Sequence, residues 1–189
     1  MSAETNHDNH HKKIDRFNMI KLTPFSKSNF DTLIFWIDNE ELLITIAGTD
    51  FAYPLTGEQL QTYLDDKNSH SFNIVDFSQD KTIGHAEIVR SGESIFKIDK
   101  LIIGDKSNRG KGIGQKVINE LLNYSFTELK AKTVELNVFD WNIGGIKCYE
   151  KCGFVMNPQK QATFEIGDKS WIALNMAIDK DTWVRIMNR

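Results

Sequence analysis

The chain has 189 residues, of which 40% are hydrophobic and 26% charged, and its formal net charge is −3. This length fits a single domain with a substantial core, and the slightly acidic balance argues against a general nucleic-acid-binding protein. No apolar run approaches the roughly 18 residues of a membrane span, and no charged-then-apolar signal peptide opens the sequence. We therefore expect a cytoplasmic protein that does not enter a membrane.

The beginning of the chain differs from the rest in composition. Residues 1–17 are polar and lack periodicity, so we interpret them as a disordered tail. Three histidines in this tail, His7, His10 and His11, could hold a metal loosely, but solvated side chains are the simpler interpretation. Residues 18–189 are expected to form one domain.

A first strand is predicted to begin at Ile20, and three helices are predicted after it. Ser26 or Ser28 can cap the first helix. The next two helices are predicted over residues 40–46 and from Thr56 to about residue 66. The apolar face of the first helix contains Phe30, Leu33, Ile34 and Ile37.

The same helical region has an unusual charge pattern. Between Asp31 and Asp66 there are eight acidic residues and no Lys or Arg. The formal charge of −3 therefore divides into −8 in this region and +5 elsewhere. Such asymmetry would attract a cation, although a solvated acidic surface would give the same pattern.

The remainder of the chain alternates between strands and helices. Three strands form an antiparallel meander, and a strand-helix-strand crossover then requires two strands to run parallel. The predicted fold class is therefore α/β, a mixed sheet of about seven strands with flanking helices. The predicted strands are 71–77, 81–89, 98–103, 133–139, 162–166 and 170–177, and the helices begin near Ile113, Asn142 and Asp179.

Three glycines at alternate positions stand between the third meander strand and the helix at Ile113. Glycines let the backbone approach a ligand closely, and the start of a helix offers free N–H groups to an anion, so a phosphate-binding loop is indicated. A P-loop is excluded because Lys111 is followed by Gly112 rather than Ser or Thr. The dinucleotide fingerprint is excluded because Gln115 stands where its third glycine would be.

Two motifs in this order resemble those of the GNAT acetyltransferases, particularly the branch with ribosomal-protein and spermidine acetyltransferases. The resemblance extends from about Ile20 to Ile178. Its motifs are Arg109-x-x-Gly112-x-Gly114 in the loop, then Asn142, and Tyr149-Glu150-Lys151-Cys152-Gly153-Phe154 on the following helix.

The resemblance implies acetyl-CoA as the cofactor. Its pantetheine arm would lie where the two parallel strands splay apart and would bond to the main chain there, while the glycine loop would hold the pyrophosphate. Asn142 would cap its helix and also touch the cofactor. The residues implied in cofactor binding are Ile102, Ile103, Arg109, Gly110, Lys111, Gly112, Ile113, Gly114, Gln115, Asn142 and Tyr149.

The chemistry implied is direct attack of an amine on a thioester. An amine with a pKa near ~10.4 must lose a proton before it attacks, and Glu87, Asp99 and Glu135 are candidate bases, directly or through water. Strand alternation cannot choose among them, and each could simply be an exposed strand carboxylate. Tyr149 occupies the position of the general acid that protonates the departing thiolate.

Several alternatives stay open from the sequence. The acceptor could be a cationic amine such as a polyamine, an antibiotic amine or a protein N-terminus, and the chain could form a homo-oligomer. A non-catalytic acyl-CoA-binding module with the same fold is the alternative to an enzyme. No metal site is expected at Cys148 and Cys152, because only these two candidate ligands lie close together there and both are interpreted as buried thiols.

One feature departs from the resemblance. Gly144 and Gly145 fall in the first turn of the last motif's helix, where the family usually has a small alanine. Each interior glycine costs a helix about 1 kcal/mol relative to alanine. Either the cofactor comes very near, or this turn is loose and cofactor binding is weaker.

Overall fold

The computed structural model describes residues 20–104, 110–166 and 168–188. Seven strands form one mixed sheet in the order β1-β2-β3-β4-β5-β7-β6, in which β4 and β5 are parallel and all other neighbours are antiparallel. The predicted mixed α/β class is therefore confirmed. The strands are β1 (Ile20–Pro24), β2 (Ser69–Asp76), β3 (Lys81–Arg90), β4 (Ile95–Ile103), β5 (Thr133–Phe139), β6 (Val155–Ile166) and β7 (Lys169–Asp179).

Six α-helices connect or flank these strands within the described ranges. Asn39, Thr56, Asn142 and Asp179 each cap a helix by accepting a hydrogen bond from a backbone N–H in its first turn. A 3-10 turn, Lys27–Asn29, precedes the first helix. The helices are α1 (Phe30–Trp36), α2 (Glu40–Ala47), α3 (Gly57–Leu64), α4 (Ile113–Thr127), α5 (Ile143–Lys151) and α6 (Lys180–Met187).

Most predicted boundaries agree with these elements to within about two residues, and three differences are worth describing. Ser26 caps the 3-10 turn rather than α1, which begins after Asn29. Strand β4 begins at Ile95, three residues earlier than predicted. Strand β6 begins at Val155 rather than residue 162, because its pairing with β7 continues across an irregular stretch between Asn157 and Ala162. The predicted tail at residues 1–17 lies outside the described residues.

Two large apolar clusters form most of the core, and a small third one contains Phe139, Trp171 and Ala173. The larger packs the sheet against α4 and α5, with Leu121, Phe126 and Phe154 fully enclosed. The smaller packs α1, α2 and α3 together and includes Leu43 and Leu60. No helix in the described ranges is both long and apolar enough to cross a membrane.

A β-bulge in β4 links the two clusters. The pairing of β3 with β4 shifts register between His85 and Glu87, so β4 contains one extra residue there. Lys100 in the bulge has φ +47°. Ile98 belongs to the larger cluster and Ile102 to the smaller, although a regular strand would place both on one face. The bulge therefore redirects the second half of β4.

The parallel pair β4 and β5 opens along its length. Pairing runs from Ile95 with Thr133 to Ile98 with Leu136 and stops there, although both strands continue. The divergence implied by the family resemblance is therefore present. It leaves main-chain groups of both strands facing a gap, which is the starting point for the site.

Candidate active site

A cleft of about 730 Å³ occupies the gap between β4 and β5. Its walls come from both strands, from the glycine loop with the start of α4, from α5 and from α2, so five separate segments of the chain meet there. Of the predicted cofactor residues, the cleft is lined by Ile102, Ile103, Gly110, Gly112, Ile113, Gly114, Gln115, Asn142 and Tyr149.

The described end of the glycine loop is shaped for close approach of a ligand. Gly110 and Gly112 both have φ +75°, and a Cβ built on either would meet nothing within 4 Å. Gly112 is the N-cap of α4, so the helix presents its first N–H groups at the cleft. Lys111 is exposed and does not line the cleft, and Arg109 lies outside the described residues. Backbone N–H groups are therefore what the described end of this loop and the start of α4 present to the cleft.

The first turn of α5 explains one of its two glycines. The Asn142 side chain accepts a hydrogen bond of 3.0 Å from the Gly145 N–H. A Cβ on Gly145 would lie 2.8 Å from Nδ2 of Asn142, whereas a Cβ on Gly144 would keep 4.0 Å from its Oδ1. Gly145 therefore makes room for the cap, while Gly144 lines the cleft without such a contact.

Tyr149 lies on α5 in the wall of the cleft and is half-buried. Burial, followed by the neighbouring Cys148 and Cys152, raises its pKa to about 12. The phenol is therefore protonated at neutral pH and able to donate a hydrogen bond into the cleft. Its ring packs beside Phe154, with centroids 6.1 Å apart.

The two cysteines of α5 differ in environment. Cys152 is buried, as predicted, whereas Cys148 is half-buried and lines the cleft. A side-chain hydrogen bond with Cys152 lowers the pKa of Cys148 to about 7, and the same bond raises the pKa of Cys152. Cys148 also limits the space at the loop, because a Cβ on Gly114 would lie 3.2 Å from its Sγ.

A second cavity, of about 550 Å³, adjoins the cleft; we call it the acidic pocket. Asp99 and Lys100 line both cavities, so the bulge of β4 stands between them. Of the eight acids counted between Asp31 and Asp66, two line this pocket. Its lining residues are Asp50, Phe51, Gln59, Thr62, Tyr63, Asp66, Glu87, Val89, Asp99 and Lys100.

The three carboxylates considered as bases occupy different positions. Glu87 is buried in the acidic pocket and accepts a hydrogen bond of 2.7 Å from Lys100 Nζ. Asp99 pairs with Lys97 Nζ at 3.0 Å and lines both cavities. Glu135 pairs with Lys160 at 2.6 Å and lines neither cavity. Asp99 and Glu87 therefore lie at the site, and Glu135 does not.

Sequence reasoning missed Lys100, which is 8% exposed. Its Nζ also donates to Asp50 Oδ2 at 2.9 Å. Burial by itself would lower the pKa of Lys100, but Glu87 and Asp50 outweigh it and the pKa is raised. Strand alternation places Lys100 on the same face as the buried Phe96 and Ile98, which belong to the larger apolar cluster. The bulge turns it instead to the acidic pocket, and alternation alone does not show that.

Tyr63, which lines the acidic pocket, makes a buried polar contact with His85. The Tyr63 hydroxyl and Nε2 of His85 lie 3.1 Å apart. Burial, followed by the charge of Lys100, lowers the pKa of His85 to about 3, so this ring is neutral at physiological pH. Among the described residues no group of three or more His, Cys, Asp or Glu side chains is arranged to hold a metal ion.

Comparisons with curated proteins reveal partial relatives. A probable N-acetyltransferase, YjcK, from Bacillus subtilis (strain 168) is 30% identical over 99 residues, 51% of this chain and 54% of that protein. A spermidine N(1)-acetyltransferase from Vibrio cholerae is 33% identical over 82 residues, 43% of this chain and 47% of that protein. The chain spans about half the length of these relatives.

Comparison with solved structures extends over more of the chain. The crystal structure of spermidine N-acetyltransferase from Vibrio cholerae, in complex with CoA and spermine, matches with a TM-score of 0.75 at 21% identity. The match covers 88% of this chain and 98% of that one and shows a shared fold. The model of the acetyltransferase (GNAT) family matches residues 32–154. This chain therefore belongs to the acetyltransferase (GNAT) family, as the two motifs predicted.

Proposed function

We propose that this chain transfers an acetyl group from acetyl-CoA to a primary amine by direct attack on the thioester. The observation that carries the proposal is the junction of the two cavities at Asp99 and Lys100. A cofactor thioester in the cleft and an amine in the acidic pocket would meet at that junction. The C–N bond forms, the C–S bond breaks, and the sulfur leaves as a thiolate that requires a proton.

We assign the proton donor to Tyr149. Its raised pKa, about 12, keeps the phenol protonated, but complete transfer to a thiolate with an ordinary pKa near ~8.5 would be uphill by on the order of 5 kcal/mol. The phenol therefore stabilises the departing sulfur mainly by donating a hydrogen bond to it. Any proton that the phenol transfers to the sulfur is replaced by the proton that the amine loses. A pure binding module would have no need of this phenol.

We assign the base to Asp99, acting directly or through water. Deprotonating an amine of pKa ~10.4 at pH 7 costs roughly 4.6 kcal/mol, so a carboxylate near the attacking nitrogen contributes to the rate. Asp99 borders both cavities, and its ion pair with Lys97 is partly exposed, whereas the Glu87 carboxylate is buried in its ion pair with Lys100. Glu87 is then part of the pocket wall rather than the base.

The acceptor is proposed to be a cationic amine, which the acids of the pocket would attract. Relatives named for spermidine support an amine acceptor. A structure of the Vibrio cholerae spermidine enzyme is dodecameric, which supports a homo-oligomer here.

A screen of amines tests this function. Purified protein is incubated with acetyl-CoA and a panel of polyamines, aminoglycosides and peptide N-termini, and both free CoA thiol and acetylated amine are measured. We expect at least one amine to release CoA and gain an acetyl group in equal amounts, above a control without amine. Binding of acetyl-CoA without transfer to any acceptor would instead support the non-catalytic binding module.

A further inference from the structure

The acidic pocket already contains a cation of the protein's own. Lys100 sits in the left-handed region at φ +47°, in the bulge between the two cavities. This backbone conformation sends its side chain toward Asp50 and Glu87, and 8% of the residue remains exposed. A regular strand would place Asp99 and Lys100 on opposite faces, but both line this pocket.

The groups around the Lys100 ammonium are those that would bind an ammonium on a ligand. Nζ lies 2.7 Å from Glu87 Oε2 and 2.9 Å from Asp50 Oδ2. It also lies 5.8 Å from the ring centroid of Phe51 and 5.4 Å from that of Tyr63, within range of a cation–π contact. Two carboxylates and two aromatic rings thus surround one position for a positive charge.

Lys100 retains its charge in this environment. Although burial opposes it, the pKa of Lys100 is raised by Glu87 and Asp50. A second ammonium entering the same position would have to displace Lys100 or approach it at a few ångströms, where like charges in a partly buried site repel strongly. The cation position is therefore closed to a substrate while Lys100 remains in place.

We propose that Lys100 determines acceptor specificity by filling the cation position of the acidic pocket, so that the site prefers amines with one basic nitrogen over diamines and polyamines. This inference rests on the proposed function, in which the acidic pocket holds the acceptor. While Lys100 is in place, a second ammonium on the acceptor cannot use Glu87 and Asp50 as partners. Removing the Lys100 charge would open Glu87 and Asp50 to that second ammonium.

The direct test compares two acceptors with the same four-carbon chain, 1,4-diaminobutane and butylamine, which differ in the second amino group. Lys100→Met removes the charge but keeps an unbranched side chain only one atom shorter than that of lysine. Both residues have a Cβ, so the backbone strain at this position is unchanged. We expect the ratio of kcat/KM for the diamine to kcat/KM for the monoamine to rise at least tenfold in Lys100→Met and to stay near the parent value in Lys100→Arg. An unchanged ratio in Lys100→Met would mean that the lysine is a structural ion-pair partner only and would overturn the inference.

A matched control uses another lysine paired with a strand carboxylate. Lys160 bonds to Glu135 at 2.6 Å, and neither residue lines a cavity. Lys160→Met removes the same charge and should leave the ratio unchanged. A rise as large in this variant as in Lys100→Met would attribute the effect to overall charge and would also overturn the inference.

A double variant controls for a loss of stability in Lys100→Met. Lys100→Met leaves the Glu87 carboxylate buried without its partner, which can destabilise the fold. Lys100→Met/Glu87→Gln removes both charges and keeps the shapes, and its ratio should fall back toward the parent because the carboxylate that would hold the second ammonium is gone. A ratio as high as in the single variant would show that Glu87 plays no part.

Calorimetry separates failure of this inference from failure of the proposed function. Titrating 1,4-diaminobutane into each protein saturated with CoA should show at least tenfold tighter binding to Lys100→Met than to the parent. If no protein transfers acetyl groups but this binding difference is found, the cation position stands and the catalytic proposal fails. If the parent is active and neither binding nor the ratio depends on Lys100, the catalytic proposal stands and the cation position fails.

Discussion

The cleft between β4 and β5 and the acidic pocket beside it differ in the groups that form them. The cleft owes its shape to backbone: two parallel strands stop pairing at Ile98 and Leu136, and a helix begins after Gly112. The acidic pocket owes its character to side chains, with Lys100 held between Glu87 and Asp50. One region presents main-chain groups and a helix N-terminus, and the other presents charges and rings.

Because of this difference, the two regions should tolerate different kinds of substitution. A backbone-built cleft depends on a few positions where a side chain or a different φ would intrude, and most of its other side chains can vary. A side-chain-built pocket can change its ligand with a single substitution while the fold persists. The following experiments test that contrast.

The largest expected effect separates chemistry from binding at the cleft. Tyr149→Phe removes one hydroxyl and little volume, so acetyl-CoA should bind within a factor of a few while single-turnover acetyl transfer slows by roughly 10²–10⁴-fold. Tyr124→Phe is the matched control, because Tyr124 is half-buried on α4 and lines neither cavity. Parent-like turnover in Tyr149→Phe would make Tyr149 structural; loss of cofactor binding would place it in the binding site instead.

The next effect probes the side-chain-built pocket through pH. His85 has a pKa lowered to about 3 in the folded chain, against about 6.5 when unfolded, so the unfolded chain takes up a proton that the folded chain refuses. The stability due to neutral His85 is therefore complete above pH 6.5 and is lost as the pH falls toward 3. Between pH 7 and pH 4.5 this should remove roughly 3 kcal/mol from the free energy of unfolding measured in urea.

A substitution isolates the contribution of His85 from that of other titrating groups. His85→Gln should show a pH dependence of unfolding that is weaker than the parent's by about the same ~3 kcal/mol over this range. His70→Gln, at a half-buried histidine of β2, is measured alongside as the parallel substitution. Identical pH profiles for the parent and His85→Gln would contradict a depressed pKa at His85.

A comparable effect tests the backbone of the glycine loop. Acetyl-CoA at ~100 times its dissociation constant should stabilise the parent by about 2.7 kcal/mol and raise its melting temperature. Gly112→Glu places a bulky anion at φ +75° on the anion site and should abolish this shift. Gly48→Glu introduces the same side chain at φ +58°, also with open space around the Cβ, but lines neither cavity and should keep the shift. An unchanged shift in Gly112→Glu would locate the pyrophosphate elsewhere.

The smallest effect distinguishes the two glycines of α5. Gly144→Ala gains helix propensity and makes only an ordinary contact, so it should stabilise the fold by up to about 1 kcal/mol. Gly145→Ala would crowd the Asn142 cap, and the loss of a cap costs about 1 kcal/mol, so its net change should be near zero or unfavourable. Thermal melts without cofactor measure both, and equal changes would contradict the role of Gly145. Weaker acetyl-CoA binding by a stable Gly144→Ala would indicate that the cofactor passes close to this turn.

Several features of the fold and site could be predicted because their signals are local in the chain. The glycine loop and the capped α5 each lie within a few consecutive residues, so spacing alone indicated a helix N-terminus facing an anion. The β-α-β order required parallel strands, and the family resemblance placed the cofactor between them. The positions of Arg109 and of residues 1–17 stay predictions.

The sequence by itself determined the family, the mixed sheet and most of the named residues that line the cleft between β4 and β5, since short-range patterns specify helices, strands and turns. Only the tertiary structure decided the acceptor side. Asp50, Tyr63, Glu87 and Lys100 come from different elements, and a one-residue bulge in β4 turns Lys100 from the face of the larger cluster to the acidic pocket. Strand alternation is blind to that bulge, because one extra residue reverses the face of everything after it. Which carboxylate is buried in its ion pair and which borders both cavities therefore depended on contacts between segments distant in the chain.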